Sequence, residues 1–120
     1  MAFRVEIAPR AFDDLDRIAE YIKERGSFEQ SLKWFNSVMD AIASLAEMPA
    51  RRAVAEESED LGQEVRLLFH GRRSRRYKVY YSIHDSTQTI QVFHVRHWAR
   101  RTLSADELQE LMGYDQTEET

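Results

Sequence analysis

The chain lacks cysteine altogether and holds only two prolines and four glycines. Without cysteine there are no disulfides, thiol nucleophiles or cysteine metal sites, and the composition suits a reducing cytosol. No apolar run approaches the roughly 20 residues that a transmembrane helix needs. The first ten residues, MAFRVEIAPR, lack the apolar core of a signal peptide, and no glycine-rich phosphate loop is present. We therefore expect a cytoplasmic protein without a membrane partner.

Charge is distributed unevenly along the 120 residues. Residues 1–65 hold 8 basic and 14 acidic side chains, a net charge of −6. Residues 66–101, called the basic block below, hold 9 basic side chains and 1 acidic one, a net of +8, together with all 4 histidines. Residues 102–120 hold 6 acidic side chains and no Lys or Arg, a net of −6. A charged target should therefore bind to the basic block.

The first half of the chain has the pattern of a strand followed by two helices. Residues 3–7 alternate apolar and polar side chains, as a half-buried strand does. Pro9 suits the first position of a helix, which Gly26 should close as a left-handed cap. Ser27 and Gln30 resemble a capping box that opens a second helix, and an antiparallel hairpin is predicted from Pro9 to Met48. The apolar face of the second helix comprises Phe35, Val38, Ile42 and Leu45, flanked by Trp34, Met39 and Met48.

The second half predicts a small sheet. Residues 51–63 are polar and acidic and indicate a loop, with at most one helical turn. Strands are expected at residues 64–69, 76–83 and 89–95, joined by turn-rich segments. In the middle strand, Val79, Tyr81 and Ile83 share one face, which should pack on the hairpin; Lys78, Tyr80, Ser82 and His84 share the other, which is expected to be available to a ligand.

These elements predict one α+β domain over residues 1–113. It comprises an N-terminal strand, an antiparallel helical hairpin, a three-stranded antiparallel meander and a short C-terminal helix from Ser104 to about Gly113. Residues 114–120 are expected to form an acidic, disordered tail. The place of the first strand in the sheet stays open, an edge beside the third meander strand being one option.

The order and spacing of several segments resemble the RelE/ParE family of bacterial type II toxin–antitoxin (plasmid stabilisation) toxins. The segments are FRVEIAPRAFDDLDRIAEYI, Leu45 with Met48-Pro49, Val65-Arg66-Leu67, YKVYYSI from Tyr77, and IQVFHV from Ile90. The resemblance implies a toxin that arrests growth when free and is neutralised by an antitoxin whose C-terminal segment wraps around it. RelE-like members cut mRNA in the ribosomal A site, whereas ParE-like members poison DNA gyrase and are not nucleases.

The resemblance also assigns candidate catalytic residues, if the chain is RelE-like. In that reaction, which needs no metal, the ribose 2′-hydroxyl attacks the neighbouring phosphate, so the site must move protons and stabilise added negative charge. The middle-strand basic residue of RelE-like toxins falls on Lys78, and the cluster at the end of their third strand falls on Arg96, His97 and Trp98. Trp98 occupies a position where the best-known RelE-type sites have an arginine, whose charge an indole does not replace. His97 is the candidate acid or base.

The candidate binding residues each have a structural alternative. The arginines of the first turn are either solvated, or contact acidic antitoxin, or bind nucleic acid. Arg66 pairs with a helix carboxylate in the simpler interpretation, and His94, in phase with Ile90 and Val92, is a core or edge histidine. Aromatic side chains in strands more often pack than stack on bases. The full candidate set is Arg66, Arg72, Arg73, Arg75, Arg76, Tyr80, His94, Trp98, Arg100 and Arg101.

Cofactors and metals are not expected. His94 and His97 have the spacing of half a zinc site, but the chain has no cysteine, and Asp85 is the one carboxylate of the basic block. If the chain is an enzyme, it is a metal-independent endoribonuclease.

Three observations bear on the choice between gyrase and the ribosome as the target. The long hairpin and the missing arginine at Trp98 favour a ParE-like gyrase poison, in which the hairpin and C-terminus make the contacts. The basic block favours a RelE-like, ribosome-dependent mRNA endoribonuclease. We favour the gyrase poison; a decayed member that only binds antitoxin is the third alternative. The expected partners are a cognate antitoxin, in a toxin–antitoxin hetero-oligomer, and either DNA gyrase or the ribosome with mRNA.

Overall fold

A computed structural model describes residues 2–55, 64–99, 106–107 and 109–112. A helical hairpin packs on a five-stranded mixed sheet with the strand order β1-β5-β4-β3-β2. The elements are β1 (Arg4–Ile7), α1 (Pro9–Arg25), α2 (Phe28–Ala43), β2 (Ala53–Val54), β3 (Arg66–His70), β4 (Tyr77–His84) and β5 (Thr89–His97). Residues 106–107 and 109–112 are also helical. Within these described ranges, no helix combines the length and apolar character that crossing a bilayer requires.

The predicted meander is confirmed, and β1 joins it at an edge. Strands β3, β4 and β5 pair antiparallel in chain order. Strand β1 lies parallel to β5, with Arg4 opposite Thr89 and Ile7 opposite Val92. This is the edge named above as one option for the first strand.

Strand β2 is the element that the sequence did not indicate. Its two residues pair antiparallel with β3, so that Ala53 lies opposite Leu67 within a segment that we expected to be a loop. The guanidinium of Arg66 holds the preceding chain in place by donating to the carbonyl oxygens of Ala50 (3.0 Å) and Arg52 (2.6 Å). Two residues are too few to show the alternation that marks a strand. Residues 56–63 of the predicted loop lie outside the described residues.

The hairpin forms as predicted except at its caps. Pro9 occupies the first turn of α1, and the Ser27 hydroxyl accepts a hydrogen bond from the Gln30 N–H (3.1 Å). The left-handed cap at Gly26 was wrong, because its φ is −132° while its N–H donates to the Ile22 carbonyl (2.8 Å). Ser27 caps α2 at once, which leaves no residue between the helices for a separate left-handed position.

Helix α2 also ends earlier than Pro49. It stops at Ala43, and a 3₁₀ turn over Ser44–Ala46 continues the chain. Met48 then takes a left-handed conformation (φ 52°) and is largely exposed, so it does not flank the apolar face as expected.

The main core lies between the hairpin and one face of the sheet. The apolar positions of both helices meet Val79 and Tyr81 of β4, as their predicted face requires. Each fully buried aliphatic side chain of this kind stabilises the fold by about 1.5–3 kcal/mol. Phe12 of α1 is exposed, although it falls at helical spacing with the buried Leu15 and Ile22. The fully buried members from the helices are Leu15, Ile22, Val38 and Ile42.

A second apolar cluster covers the other face of the sheet. Tyr80 and Phe93 are fully buried there, and the helical residues Leu111 and Met112 belong to the same cluster. The expectation that this face is open to a ligand was therefore wrong at Tyr80. The predicted C-terminal helix is present in residues 106–107 and 109–112; Ser104, Gly113 and the predicted tail lie outside the described residues.

A β-bulge makes both faces apolar at the centre of β5. Tyr80 lies opposite His94 while Tyr81 lies opposite Val92, so Phe93 is an extra residue between them. An extra residue reverses the alternation of side chains beyond it. His94 therefore shares a face with Tyr80, and the prediction that it lies in phase with Ile90 and Val92 was wrong.

Candidate functional site

The three candidate catalytic residues are neighbours on the sheet but do not share a face. Lys78 and Arg96 lie directly opposite each other on β4 and β5, both on the Tyr80 face, with only 8% and 6% of their surfaces exposed. His97 lies opposite Tyr77, one position further along, and therefore projects towards the hairpin face. Its ring packs edge-on against the Tyr77 ring, with 5.4 Å between the centroids.

Tyr80 lies inside the fold rather than at a surface. Its ring is 5.7 Å from the His94 ring and 6.3 Å from the Phe93 ring, and the Nζ atom of Lys78 lies 5.8 Å from its centroid. A ligand can reach Tyr80 only if the cluster that includes Leu111 moves.

His94 is joined to a residue that the sequence analysis missed. Its Nδ1 atom lies 2.9 Å from Oδ2 of Asp14, a carboxylate of α1 that is 5% exposed. The same Oδ2 accepts from the buried backbone N–H of Val95 (3.1 Å), and Oδ1 accepts from Arg17 (2.5 Å). The signal was present, since Asp14 falls on the apolar stripe of α1, between Ala11 and Ile18. Its acidic neighbours, Asp13 and Asp16, are exposed.

The turn between β3 and β4 presents four exposed arginines, two of them tied to aromatic side chains. The guanidinium of Arg76 lies 4.3 Å from the centroid of Phe69. The Trp98 indole N–H donates to the Arg73 carbonyl (3.1 Å), and its backbone N–H donates to the Arg76 carbonyl (3.0 Å). Phe69, Arg76 and Trp98, called the aromatic–arginine patch below, lie side by side, and both of its rings are exposed. The four arginines are Arg72, Arg73, Arg75 and Arg76.

Gly71 sets the shape of this turn. Its φ is +95°, and a Cβ there would lie 1.9 Å from the Arg75 carbonyl oxygen. Only glycine adopts this conformation without strain and also permits that approach. The sequence placed Gly71 among the arginines, but it did not reveal that the backbone of Arg75 folds back onto it.

Arg66 has a structural role, with partners other than the predicted helix carboxylate. Its guanidinium bonds Glu64 (2.8 Å) as well as the two carbonyl oxygens before β2. Arg100 and Arg101 lie outside the described residues.

A cleft of about 950 Å³ opens beside β5. It is lined by residues of α1, by residues 94–97 of β5 and by the helical residues 107, 110 and 111. Its lining arginines are Arg10, Arg17, Arg25, Arg75 and Arg96, and its carboxylates are Asp14, Glu107 and Glu110. The cleft thus gathers His94, Arg96 and His97 with arginines of α1 that the sequence analysis did not associate with them.

Tyr77, which lines the cleft, is not suited to act as a base. Burial raises the pKa of Tyr77, so its hydroxyl stays protonated at neutral pH and is not a ready general base. Within the described residues, no group of three or more His, Asp and Glu side chains is placed to hold a metal ion.

Comparisons with known proteins agree with this fold. Residues 5–102 match the family model described as the ParE toxin of the type II toxin–antitoxin system parDE. Among solved structures, the chromosomal ParDE system of P. aeruginosa is similar at a TM-score of 0.64 and 19% identity, covering 80% of this chain and 96% of that one. No curated protein sequence matches significantly.

Two RelE-type structures are similar as well. An E. coli RelE toxin in the free state, with two arginines replaced by alanine, matches at a TM-score of 0.54 and 16% identity, covering 98% of both chains. The RelBE2 toxin–antitoxin complex of Mycobacterium tuberculosis matches at 0.54 and 22% identity, covering 83% of this chain and 95% of that one. At these identities the likeness shows the fold.

Fold and family match together define a type II toxin of the RelE/ParE superfamily. Because the family model matches most of the sequence, the chain belongs to the ParE toxin family.

Proposed function

We propose that this toxin arrests bacterial growth when free, that a cognate antitoxin neutralises it, and that it acts by binding DNA gyrase. Membership of the ParE family supports the gyrase target. The antitoxin partner is supported by two similar structures, the ParDE system and the RelBE2 complex, which are toxin–antitoxin assemblies.

One observation carries the choice of a binding mechanism over catalysis. Lys78 and Arg96 are mostly buried on one face of the sheet, while His97 projects from the other and packs on Tyr77. A nuclease site needs its acid, base and charge-stabilising groups within about 3 Å of one scissile phosphate. Arg96 and His97 both line the cleft beside β5, but they project from opposite faces of the strand, and Lys78 does not line that cleft. The three groups together therefore do not meet that condition.

The hairpin supplies a surface suited to protein binding. Phe28 and Leu32 lie one turn apart on α2 and are 66% and 48% exposed, and Tyr21 of α1 is half-exposed. Exposed aromatic and aliphatic side chains of this kind are enriched at protein interfaces. The exposed turn arginines form a separate, basic surface, which suits an acidic antitoxin segment.

The first experiment is induced expression in a bacterial host with separate pulse labelling of DNA and protein synthesis. Early loss of DNA synthesis is the expected result, and the purified protein should inhibit gyrase supercoiling. A Phe28→Ser/Leu32→Ser double variant should lose both effects. Val54→Ser, which removes an exposed apolar side chain from β2, is the matched control and should retain them.

A second candidate, ribosome-dependent mRNA cleavage, is favoured by the aromatic–arginine patch. Exposed aromatic rings beside arginines stack on and bind single-stranded nucleic acid. This mechanism requires early loss of protein synthesis with cleaved transcripts, and toxicity that His97→Ala and Lys78→Ala abolish. Growth unaffected by expression would instead indicate a member that only binds antitoxin.

A further inference from the structure

The cleft beside β5 has the volume of a small-molecule site and a lining with a net positive charge. Its volume of about 950 Å³ lies within the range of roughly 300–1,000 Å³ typical of small-molecule sites. Five arginines and three carboxylates line it, which gives a net charge of 5 − 3 = +2 with the histidines neutral. The arginines come from α1, the β3–β4 turn and β5, so the tertiary fold brings them together.

The carboxylate of Asp14 is bound by groups of α1 and β5. Asp14 accepts hydrogen bonds from Arg17 and from the Val95 N–H and lies against His94. This arrangement holds the His94 ring against α1, and the ion pair makes Arg17 and Asp14 together contribute no net charge to the cleft. Arg96, which also lines the cleft, is largely buried, and the lower local dielectric there strengthens its attraction for an anion.

We propose that this cleft binds a phosphoryl group, carried by a nucleotide or by the 5′ end of a nucleic-acid strand. Guanidinium groups donate in a planar fork that matches phosphate oxygens. Arg25 of α1 and Arg75 of the β3–β4 turn both line the cleft and offer such forks. Tyr21, which is half-exposed, adds aromatic surface next to them, against which a base can pack. The site goes beyond the proposed function, because binding gyrase or an antitoxin requires no small ligand.

Two carboxylates of the C-terminal helical residues argue against a long acidic ligand. Glu107 and Glu110 also line the cleft, so an acidic peptide would place several carboxylates near two of the same charge. A compact phosphate can lie near the arginines and avoid them.

The test is calorimetric titration of the full chain with three phosphate probes. These are inorganic phosphate, adenosine 5′-monophosphate and a short oligonucleotide with a 5′-phosphate, compared with the same oligonucleotide ending in a hydroxyl. Binding of the monophosphate shows that a free nucleotide suffices. Binding of the phosphorylated oligonucleotide alone identifies the strand end as the source, and both results support the proposal.

Matched variants decide whether binding occurs in the cleft. Arg75→Gln and Arg25→Gln should each weaken binding about tenfold, as loss of one charge-assisted hydrogen bond does. Arg72→Gln removes an exposed charge from the same turn but outside the cleft lining, and binding should stay within about twofold. Glu107→Gln/Glu110→Gln should tighten binding.

Three results would overturn the proposal. The first is no heat or saturation with any phosphate probe. The second is equal weakening by Arg72→Gln and Arg75→Gln, which indicates non-specific charge attraction. The third is tighter binding of a hexaglutamate peptide than of the phosphates, which would assign the cleft to acidic peptides.

Discussion

The Tyr81 hydroxyl donates a 2.5 Å hydrogen bond to the carbonyl oxygen of Pro49. Tyr81 lies on the central strand β4 and has no exposed surface, while Pro49 begins the 3₁₀ turn that leads from the hairpin to β2. One buried hydrogen bond thus fixes the exit of the hairpin to the middle of the sheet.

Removing this hydroxyl should destabilise the protein without changing its fold. Tyr81→Phe leaves the Pro49 carbonyl without its donor, at a cost of about 1–3 kcal/mol in the free energy of unfolding. Urea denaturation measures the change. Tyr21→Phe, which removes a hydroxyl from a half-exposed ring, is the control and should stay within about 0.5 kcal/mol of wild type. Equal effects in the two variants would contradict the role of the bond.

The same residue should make stability fall at high pH. Burial raises the pKa of Tyr81 from 10.0 to about 12. Between these two values the unfolded chain loses the proton while the folded protein keeps it, so stability that is complete below pH 10 declines as pH rises towards 12. This rise in the pKa of Tyr81 corresponds to roughly 2–3 kcal/mol in the free energy of unfolding. Unfolding measured from pH 9 to pH 11 should show a shallower decline in Tyr81→Phe, and parallel curves would contradict the prediction.

His70 should weaken the fold on the acidic side. Burial lowers its pKa below 6.5, and its Nε2 lies 3.1 Å from the Ser37 hydroxyl of α2. Below pH 6.5 His70 becomes protonated in the unfolded chain while it stays neutral in the folded protein. The stability present above that pH is therefore lost as the pH falls through the lower pKa that His70 has in the folded protein. The stability difference between wild type and His70→Gln should therefore move against wild type from pH 7.5 to pH 5. A constant difference would show that His70 does not titrate differently on folding.

Removing the buried Asp14 carboxylate should destabilise the junction of α1 and β5. Asp14→Ala deprives the buried Val95 N–H of its acceptor and leaves Arg17 and His94 without their carboxylate, for an expected loss of about 2–4 kcal/mol. Asp13→Ala, the exposed neighbour on the same helix, should change stability by less than about 0.5 kcal/mol. Thermal unfolding of the pair measures this. Similar melting temperatures would mean that the carboxylate does not stabilise the junction of α1 and β5.

Two glycines should differ in their tolerance of alanine. Gly71→Ala combines a φ of +95° with a Cβ placed 1.9 Å from a backbone oxygen, so we expect a loss of about 1–3 kcal/mol. Gly26→Ala meets only the far end of the Gln30 side chain at that distance, at a negative φ, and should cost less. Denaturation of both variants gives the comparison, and a reversed order would contradict the geometry of the turn.

Local pattern was enough to predict the hairpin and the meander. Helical spacing in α1 and α2 reports which side chains face the core, since a helix must bury one stripe wherever it packs. Alternation in β4 likewise assigned Val79 and Tyr81 to the hairpin face. The sequence named Lys78, Arg96 and His97 together as candidate catalytic residues, but it did not show how they are placed. In the structure Lys78 and Arg96 share one face of the sheet, whereas Arg96 and His97, but not Lys78, line the cleft.

Sequence alone therefore determined the order of elements, the core faces of the helices and the concentration of positive charge in residues 66–101. Tertiary structure decided which of these charges meet. The bulge at Phe93 reverses the phase of β5, and it depends on the pairing with β4 rather than on any local signal. The contact between Asp14 and Val95 joins residues 81 positions apart, so it exists only once α1 lies along β5. The same packing forms the cleft that gathers arginines from three elements.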